Sequence, residues 1–334
     1  MGDRLRLGLV GCGAIAQWHL HAIRAAASRT EVSAAIDLDA ERAGAMARET
    51  GATVFTGLAD AVTADAFDAA LVMLPHHVHE EATLALLDAG KHVLLEKPIA
   101  PTVDGAERIL ARAAEAGVHF QVGENAQYWP EITAVAEAID AGVIGDVITA
   151  RAWHCHPPME EFYGGPAPWR FSTVAAGGGI AIDTGSHWLR PLRRWLGELV
   201  DVLAVTGRPF PAMEGESMCR ALCRFDGGVV ASFDALLVPW ASAPLPPFQV
   251  TGTGGELVVE AAGQVRLYDG SDPAGKVIGE GNYFQSYEGQ IADFEAAVLD
   301  GRPAAAPAEY ALGELRGALA MYRSVESRRW EHVW

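Results

Sequence analysis

Lysine is nearly absent from this chain. Of 25 cationic residues among 334, only Lys91, Lys97 and Lys276 are lysines. Cysteine is also sparse, and Cys12, Cys155, Cys219 and Cys223 are too few and too scattered for a disulfide framework. Cys219 and Cys223 lack the spacing of a zinc pair, so reduced thiols and no metal site are expected. Basic charge is short overall. Forty-three acidic residues give a net charge of −18, which argues against nucleic acid and anionic membrane surfaces as partners, because both require a basic face. No apolar run approaches the ~18 residues of a bilayer span. The opening MGDRLRLGLVGCG enters a strand pattern at once, and Arg6 breaks the myristoylation pattern. The expectation is a cytoplasmic protein without a leader.

What the chain does contain is alternation. With 50% hydrophobic and 20% charged residues, its length suits about two domains. Up to residue 124, short apolar strands alternate with helical spacing, as in RLRLGLVG, EVSAAID, FDAALVMLP, HVLLEK and VHFQVGE. Near-continuous apolar strands separated by helices predict a parallel sheet covered on both faces. From 125 to 334 the texture differs. A helix at EITAVAEAIDAG leads to a strand ending in AWHCH, then to a proline- and glycine-rich stretch at 157–168. Several strands joined by tight turns such as DGG follow, predicting a large, mostly antiparallel sheet. Two helices close the chain. The fold expected is thus an α/β Rossmann domain over 1–124 and an α+β domain over 125–334.

GLVGCGAIA carries Gly11, Gly13 and Ala16 between a strand and a helix, with Asp37 at the end of the second strand. The same triplet serves as a structural turn in other doubly wound domains and in methyltransferases, but this context favours a dinucleotide. Gly11 allows the turn, Gly13 lets backbone approach a pyrophosphate, and Ala14 and Ile15 open the helix that faces the phosphates. Asp37 suits ribose hydroxyls and repels a 2′-phosphate, favouring NAD over NADP. Leu74, Pro75 and His79, in VMLPHHVHEEA at the end of another strand, and Glu96 and Lys97, in HVLLEK, are candidates to line the same cofactor. Because His76 and His77 are adjacent with no framing carboxylate, this stretch reads as a loop rather than a metal site.

In HVLLEKPIAPT, Glu96, Lys97 and Pro98 follow a strand. An arginine stays charged, whereas a lysine can share its proton. Lys97 is therefore a candidate acid or base, with Glu96 beside it and an X–Pro bond that can be cis. In AAGGGIAIDTGSHWL, a helix starting near Gly179 would set Asp183 and His187 at i and i+4 on one face. Gly185 between them would leave room for a ligand or the nicotinamide ring. Tyr128, Trp169 and Arg170 are candidate cleft residues, aromatic faces suiting sugar C–H surfaces. His154 and His156 share one side of a strand, with Cys155 on the other, and that side is a candidate pocket wall, with His154 a candidate substrate-binding residue.

These motifs together, with GENAQYWP and WRFS, resemble the Gfo/Idh/MocA oxidoreductases over nearly the whole chain. The resemblance implies a Rossmann domain, a second domain on an open sheet, and oxidation of a sugar, aminosugar or cyclitol hydroxyl, or reduction of the ketone, at NAD. It implies catalytic and substrate-orienting roles for Lys97, Asp183 and His187. A ketosugar reductase acting on a nucleotide sugar and a non-catalytic NAD sensor are the alternatives. Many members carry an acid three positions after the histidine and an arginine in the segment of Gln127; here Arg190 and Gln127 stand instead, so Arg190 either suits an acidic substrate group or points to solvent. A homodimer or homotetramer through the second sheet is expected.

Overall fold

The computed structural model describes residues 4–164, 168–241 and 243–334. Residues 165–167, within the expected 157–168 loop stretch, lie outside the described residues. The chain forms two compact units, one of Met1–Glu124 with Tyr287–Leu312, the other of Asn125–Ser286 with Gly313–Trp334.

The first unit alternates as its sequence pattern requires. In order come β1 (Leu5–Val10), α1 (Ala14–Ala26), β2 (Thr30–Ile36), α2 (Ala40–Thr50), β3 (Thr53–Phe55), α3 (Leu58–Thr63), β4 (Ala69–Val72), α4 (His79–Asp88), β5 (His92–Glu96), α5 (Val103–Ala116) and β6 (Phe120–Gly123). The short α3 has no counterpart in the sequence reading. Local chemistry sets the helix ends. Asp39 caps α2 by accepting from the amides of Glu41 and Arg42, and Gly51 ends it in the left-handed region. Thr102 caps α5 through the Gly105 amide. The strands pair in parallel in the order β3-β2-β1-β4-β5-β6. Strand order reverses between β1 and β4, so the crevice for a ligand lies beyond their carboxyl ends. Residues 287–312 complete the unit: Tyr287 meets the edges of Trp18 and His19, and Glu295 accepts from the Thr30 hydroxyl and the Arg29 amide.

The second unit begins with α6 (Pro130–Asp140), where a proline at the first turn removes no needed donor. It continues through β7 (Val147–His156), the one-turn helices α7 (Glu160–Tyr163) and α8 (Thr173–Ala176), and α9 (Ser186–Leu196). Seven strands follow: β8 (Leu199–Gly207), β9 (Met218–Phe225), β10 (Val230–Leu237), β11 (Phe248–Gly252), β12 (Glu256–Val259), β13 (Gln264–Tyr268) and β14 (Lys276–Glu280). Then come α10 (Tyr283–Asp300), which belongs to the first unit from Tyr287, α11 (Ala311–Ser327), which belongs to the second from Gly313, and β15 (Glu331–His332). The nine-stranded sheet runs β14-β13-β12-β11-β7-β10-β9-β8-β15, with β7 and β10 parallel and the remaining pairs antiparallel. One sheet face is core. In β9, Cys219, Ala221, Cys223 and Phe225 are buried while Arg220, Leu222 and Arg224 face out. Phe248 sits against Trp188 and Trp195 of α9; burying each such ring stabilises by about 1.5–3 kcal/mol.

Arg190 and Arg193 of α9 are themselves buried and converge on the Glu314 carboxylate of α11. Arg190 also donates to the Gln127 side-chain oxygen at 3.3 Å. The expectation that Arg190 meets solvent or an acidic substrate group is therefore corrected: its charge is matched inside the unit. Glu314→Leu should destabilise the protein by about 3–5 kcal/mol, the cost of stranding buried cations. Denaturant unfolding measures it, and a loss under about 1 kcal/mol would mean the cluster is solvated.

Candidate active site

The carboxyl end of the first sheet assembles around the glycine turn. Gly11 sits at φ 94°, and a Cβ there would stand 2.5 Å from the Met73 carbonyl oxygen, so only glycine allows the chain to pass β4 this closely. Gly13 is different. Its backbone is extended, and a Cβ would meet nothing within 4 Å. Helix α1 begins at Ala14 with no side-chain cap on its amides, the arrangement that receives a phosphate. Ala16 is fully buried against the sheet. Asp37 accepts from the Cys12 amide at 2.8 Å and, on its other oxygen, from the Asp39 amide at 2.9 Å. That fixes the carboxylate beside the turn with acceptor capacity for vicinal hydroxyls. Burial and the Asp37 charge push the Cys12 thiol up to about 11, keeping it neutral. These residues fit a dinucleotide: a turn too tight for side chains, an open Gly13, uncapped helix amides and an acid.

Two strands away, Glu96 and Lys97 end β5, and the Lys97–Pro98 bond is cis. Glu96 is buried, with Oε1 2.6 Å from Nε2 of His19, a fully buried residue of α1, and Oε2 accepting the Lys97 amide at 3.1 Å. Lys97 is half-buried. Leu74 and Pro75 are half-buried at the end of β4. His79, expected to line the cofactor, has no exposed surface. It stands behind that loop, Nε2 2.8 Å from the Leu74 carbonyl oxygen and Nδ1 2.8 Å from that of Pro98. Burial holds its imidazole below the usual range, while the two carbonyls pull the other way.

In the second unit, α9 starts at Ser186 rather than near Gly179. Asp183 and His187 are thus not an i,i+4 helical pair. Asp183 lies in the preceding turn, where its amide bonds to the Gly179 carbonyl and the His187 amide to that of Thr184. The cause is the glycine run. Cβ atoms on Gly178 and Gly179 would stand 2.4 Å from the Tyr322 hydroxyl and 2.1 Å from the Glu216 carbonyl oxygen. The Glu216 carboxylate accepts from the Ala181 amide at 3.0 Å and from Tyr322 at 2.9 Å, and the Tyr322 hydroxyl accepts from the Gly179 amide. Burial pushes both Glu216 and Tyr322 up. Gly185 does not make room for a ligand; a Cβ there would strike the Ala181 carbonyl oxygen at 2.4 Å and Phe233 at 2.9 Å.

The Asp183 carboxylate is buried, 3.3 Å from Arg170 Nε and 3.2 Å from the Tyr163 hydroxyl. Arg170 lies over the Trp169 ring at 4.3 Å. His187 is buried with its ring 6.4 Å from Trp129. His154 is buried on the sheet's core face, 4.1 Å from Trp188 and 4.7 Å from His156 by ring centroid. Tyr128 is half-buried just before Trp129. Two residues that the sequence pattern does not single out belong here: His19, visible in principle as a lone histidine in the buried stripe of α1, and Tyr163, for which no sequence signal exists. Among the described residues no group of histidine, cysteine and acid side chains is placed to hold a metal.

Comparison with known proteins agrees with this geometry. Residues 5–124 match the oxidoreductase family with an NAD-binding Rossmann fold, and 132–258 match the GFO/IDH/MocA C-terminal domain. A 1,5-anhydro-D-fructose reductase of Ensifer adhaerens is 34% identical over 258 residues, 76% of this chain and 75% of that one. An inositol 2-dehydrogenase of Corynebacterium glutamicum is 35% identical over 165 residues, about half (49%) of each chain. The solved structure of GenD2 from gentamicin A biosynthesis, in complex with NAD, is 26% identical and superposes with a TM-score of 0.85 over 99% of this chain and 97% of that one. The chain belongs to the GFO/IDH/MocA family and is an NAD-binding oxidoreductase.

Proposed function

We propose that the protein oxidises a secondary hydroxyl of a sugar, aminosugar or cyclitol to a ketone. The observation that carries this reading is the turn after β5, where one of only three lysines ends a strand at the carboxyl edge of the NAD-type sheet, held by buried groups on both sides. Relatives named as an anhydrofructose reductase and inositol 2-dehydrogenases support a polyhydroxylated substrate.

Gly11, Gly13, the first amides of α1 and Asp37 hold the dinucleotide, with Leu74 and Pro75 against it. Bound NAD⁺ supplies the hydride acceptor. A sugar hydroxyl is a weak acid, so its proton must leave to a base within hydrogen-bond reach as the carbon is oxidised. His187 takes that proton. Lys97 stabilises negative charge as it develops on a substrate oxygen. Asp183, fixed by Arg170 and Tyr163, accepts from a neighbouring hydroxyl, and Tyr128 and Trp169 pack the sugar's C–H faces. His154, against the Trp188 ring, is a further candidate to meet the substrate. The enzyme works in the cytoplasm, consistent with four free cysteines, and no helix among the described residues is long and apolar enough to cross a membrane. It assembles as a homodimer or homotetramer through the outer face of the second sheet, where Val205 and Leu222 are 58% and 44% exposed.

Three measurements test this reading. Lys97→Ala should lower kcat on the responsive polyol roughly a hundredfold or more while NADH titration remains near wild type; near-normal turnover ends the assignment. Gly13→Ala, whose Cβ would meet no protein atom within 4 Å, should cost at most about 1–2 kcal/mol of stability as the loss of a favourable N-cap, yet weaken NADH binding by roughly tenfold or more, about 1.4 kcal/mol. An unchanged NADH affinity would remove the pyrophosphate from this turn. Sedimentation should show at least twice the 35.4 kDa chain mass, shifting toward the monomer with Leu222→Asp; a wild-type monomer overturns the assembly.

A further inference from the structure

The His79 imidazole touches backbone on two functional segments of the first unit. It opens α4, has no exposed surface, and faces two oxygens that can only accept: the Leu74 carbonyl on the loop after β4 and the Pro98 carbonyl directly after Lys97. A neutral imidazole carries one N–H and can donate to one of them; an imidazolium donates to both. Either way the ring spans segments from two adjacent strands. The Pro98 carbonyl would otherwise be a buried acceptor needing a donor.

We propose that His79 is a positioning residue: its Nδ1–H bond to the Pro98 carbonyl fixes the cis turn that aims Lys97. This rests on the proposed role of Lys97 and deepens it. The bond acts at a backbone atom one residue from the lysine, so its loss lets the turn relax without removing any group that meets the substrate. A shift of about 1 Å in a reacting group can cost on the order of a hundredfold in rate. The charged groups facing the ring are Glu96 and Lys97, both on the turn itself.

Side-chain geometry supplies a test that general destabilisation does not mimic. The amide nitrogen of asparagine sits close to the place of Nδ1, that of glutamine close to Nε2. His79→Leu should lower kcat roughly tenfold or more with NADH affinity within about threefold of wild type. His79→Asn should recover most of that loss by donating to Pro98, and His79→Gln, which reaches Leu74 instead, should not. A second readout needs no turnover. With three lysines in the chain, amine acylation resolved by mass spectrometry reports Lys97 against Lys91 and Lys276 as internal standards. His79→Leu should change the Lys97 labelling rate at least roughly threefold, either way, with the other two unaltered, and His79→Asn should restore it. Equal behaviour of the Asn and Gln variants, or kcat and labelling at Lys97 unchanged in the Leu variant, overturns the proposal. If instead Lys97→Ala leaves turnover intact while His79→Leu still alters Lys97 labelling, the catalytic reading fails and the positioning contact stands.

Discussion

A 2.6 Å contact between His19 and Glu96, both buried, is the bond on which the first unit's chemistry turns. His19 belongs to α1, the helix whose amino end forms the phosphate-facing half of the glycine turn. Glu96 ends β5, and its second oxygen accepts the Lys97 amide. The contact therefore joins the cofactor turn to the lysine turn without passing through either ligand. A carboxylate withdrawn from water is expensive unless it is hydrogen-bonded and paired. Here both oxygens are occupied, and the edge of Tyr287 closes the far side of the imidazole. Residues 287–312, distant in sequence, pack in this unit and keep that pair dry.

The second unit solves a related problem with backbone. Asp183 must be held on a segment that is not a helix, just ahead of His187 in α9, and a free turn of three glycines would be floppy. Glu216 and Tyr322 remove that freedom by accepting and relaying hydrogen bonds to the amides of Gly179 and Ala181. The glycines are there because the carboxylate and phenol come so near that no Cβ fits. Arg170 and Tyr163 then fix the Asp183 carboxylate itself. Order in this turn is thus bought with buried polar groups rather than with apolar packing, which is why it depends on every one of them being satisfied.

Periodicity made the doubly wound sheet, its strand–helix order and the antiparallel character of the second sheet legible, because both patterns depend on which face each residue buries. The glycine turn and Asp37 were legible because their spacing is imposed by a ligand. The 183–187 segment misled for a physical reason: i,i+4 spacing suggests a helix, but Tyr322 and Glu216, 106 residues apart, decide the backbone there, and no local window contains them. The same applies to Gly185, whose missing side chain reads as ligand space until Phe233 of β10 appears 2.9 Å from where a Cβ would be. His19 belongs to no motif, and His79 reads from sequence as a residue that lines the cofactor. What they touch are a strand end and two carbonyls, contacts that composition cannot encode.

Arg190 bears on the substrate. Read from sequence, an arginine where many relatives carry an acid suggests a receptor for an anionic group. In the folded unit its guanidinium donates twice to Glu314 and once to Gln127, and Arg193 shares the same carboxylate. Arg194 donates to the Gln127 carbonyl and the Thr133 hydroxyl. The whole basic face of α9 is therefore turned to internal acceptors. With the α9 arginines engaged in this way, Arg190 balances the Glu314 carboxylate inside the unit and lends no support to an anionic substrate group.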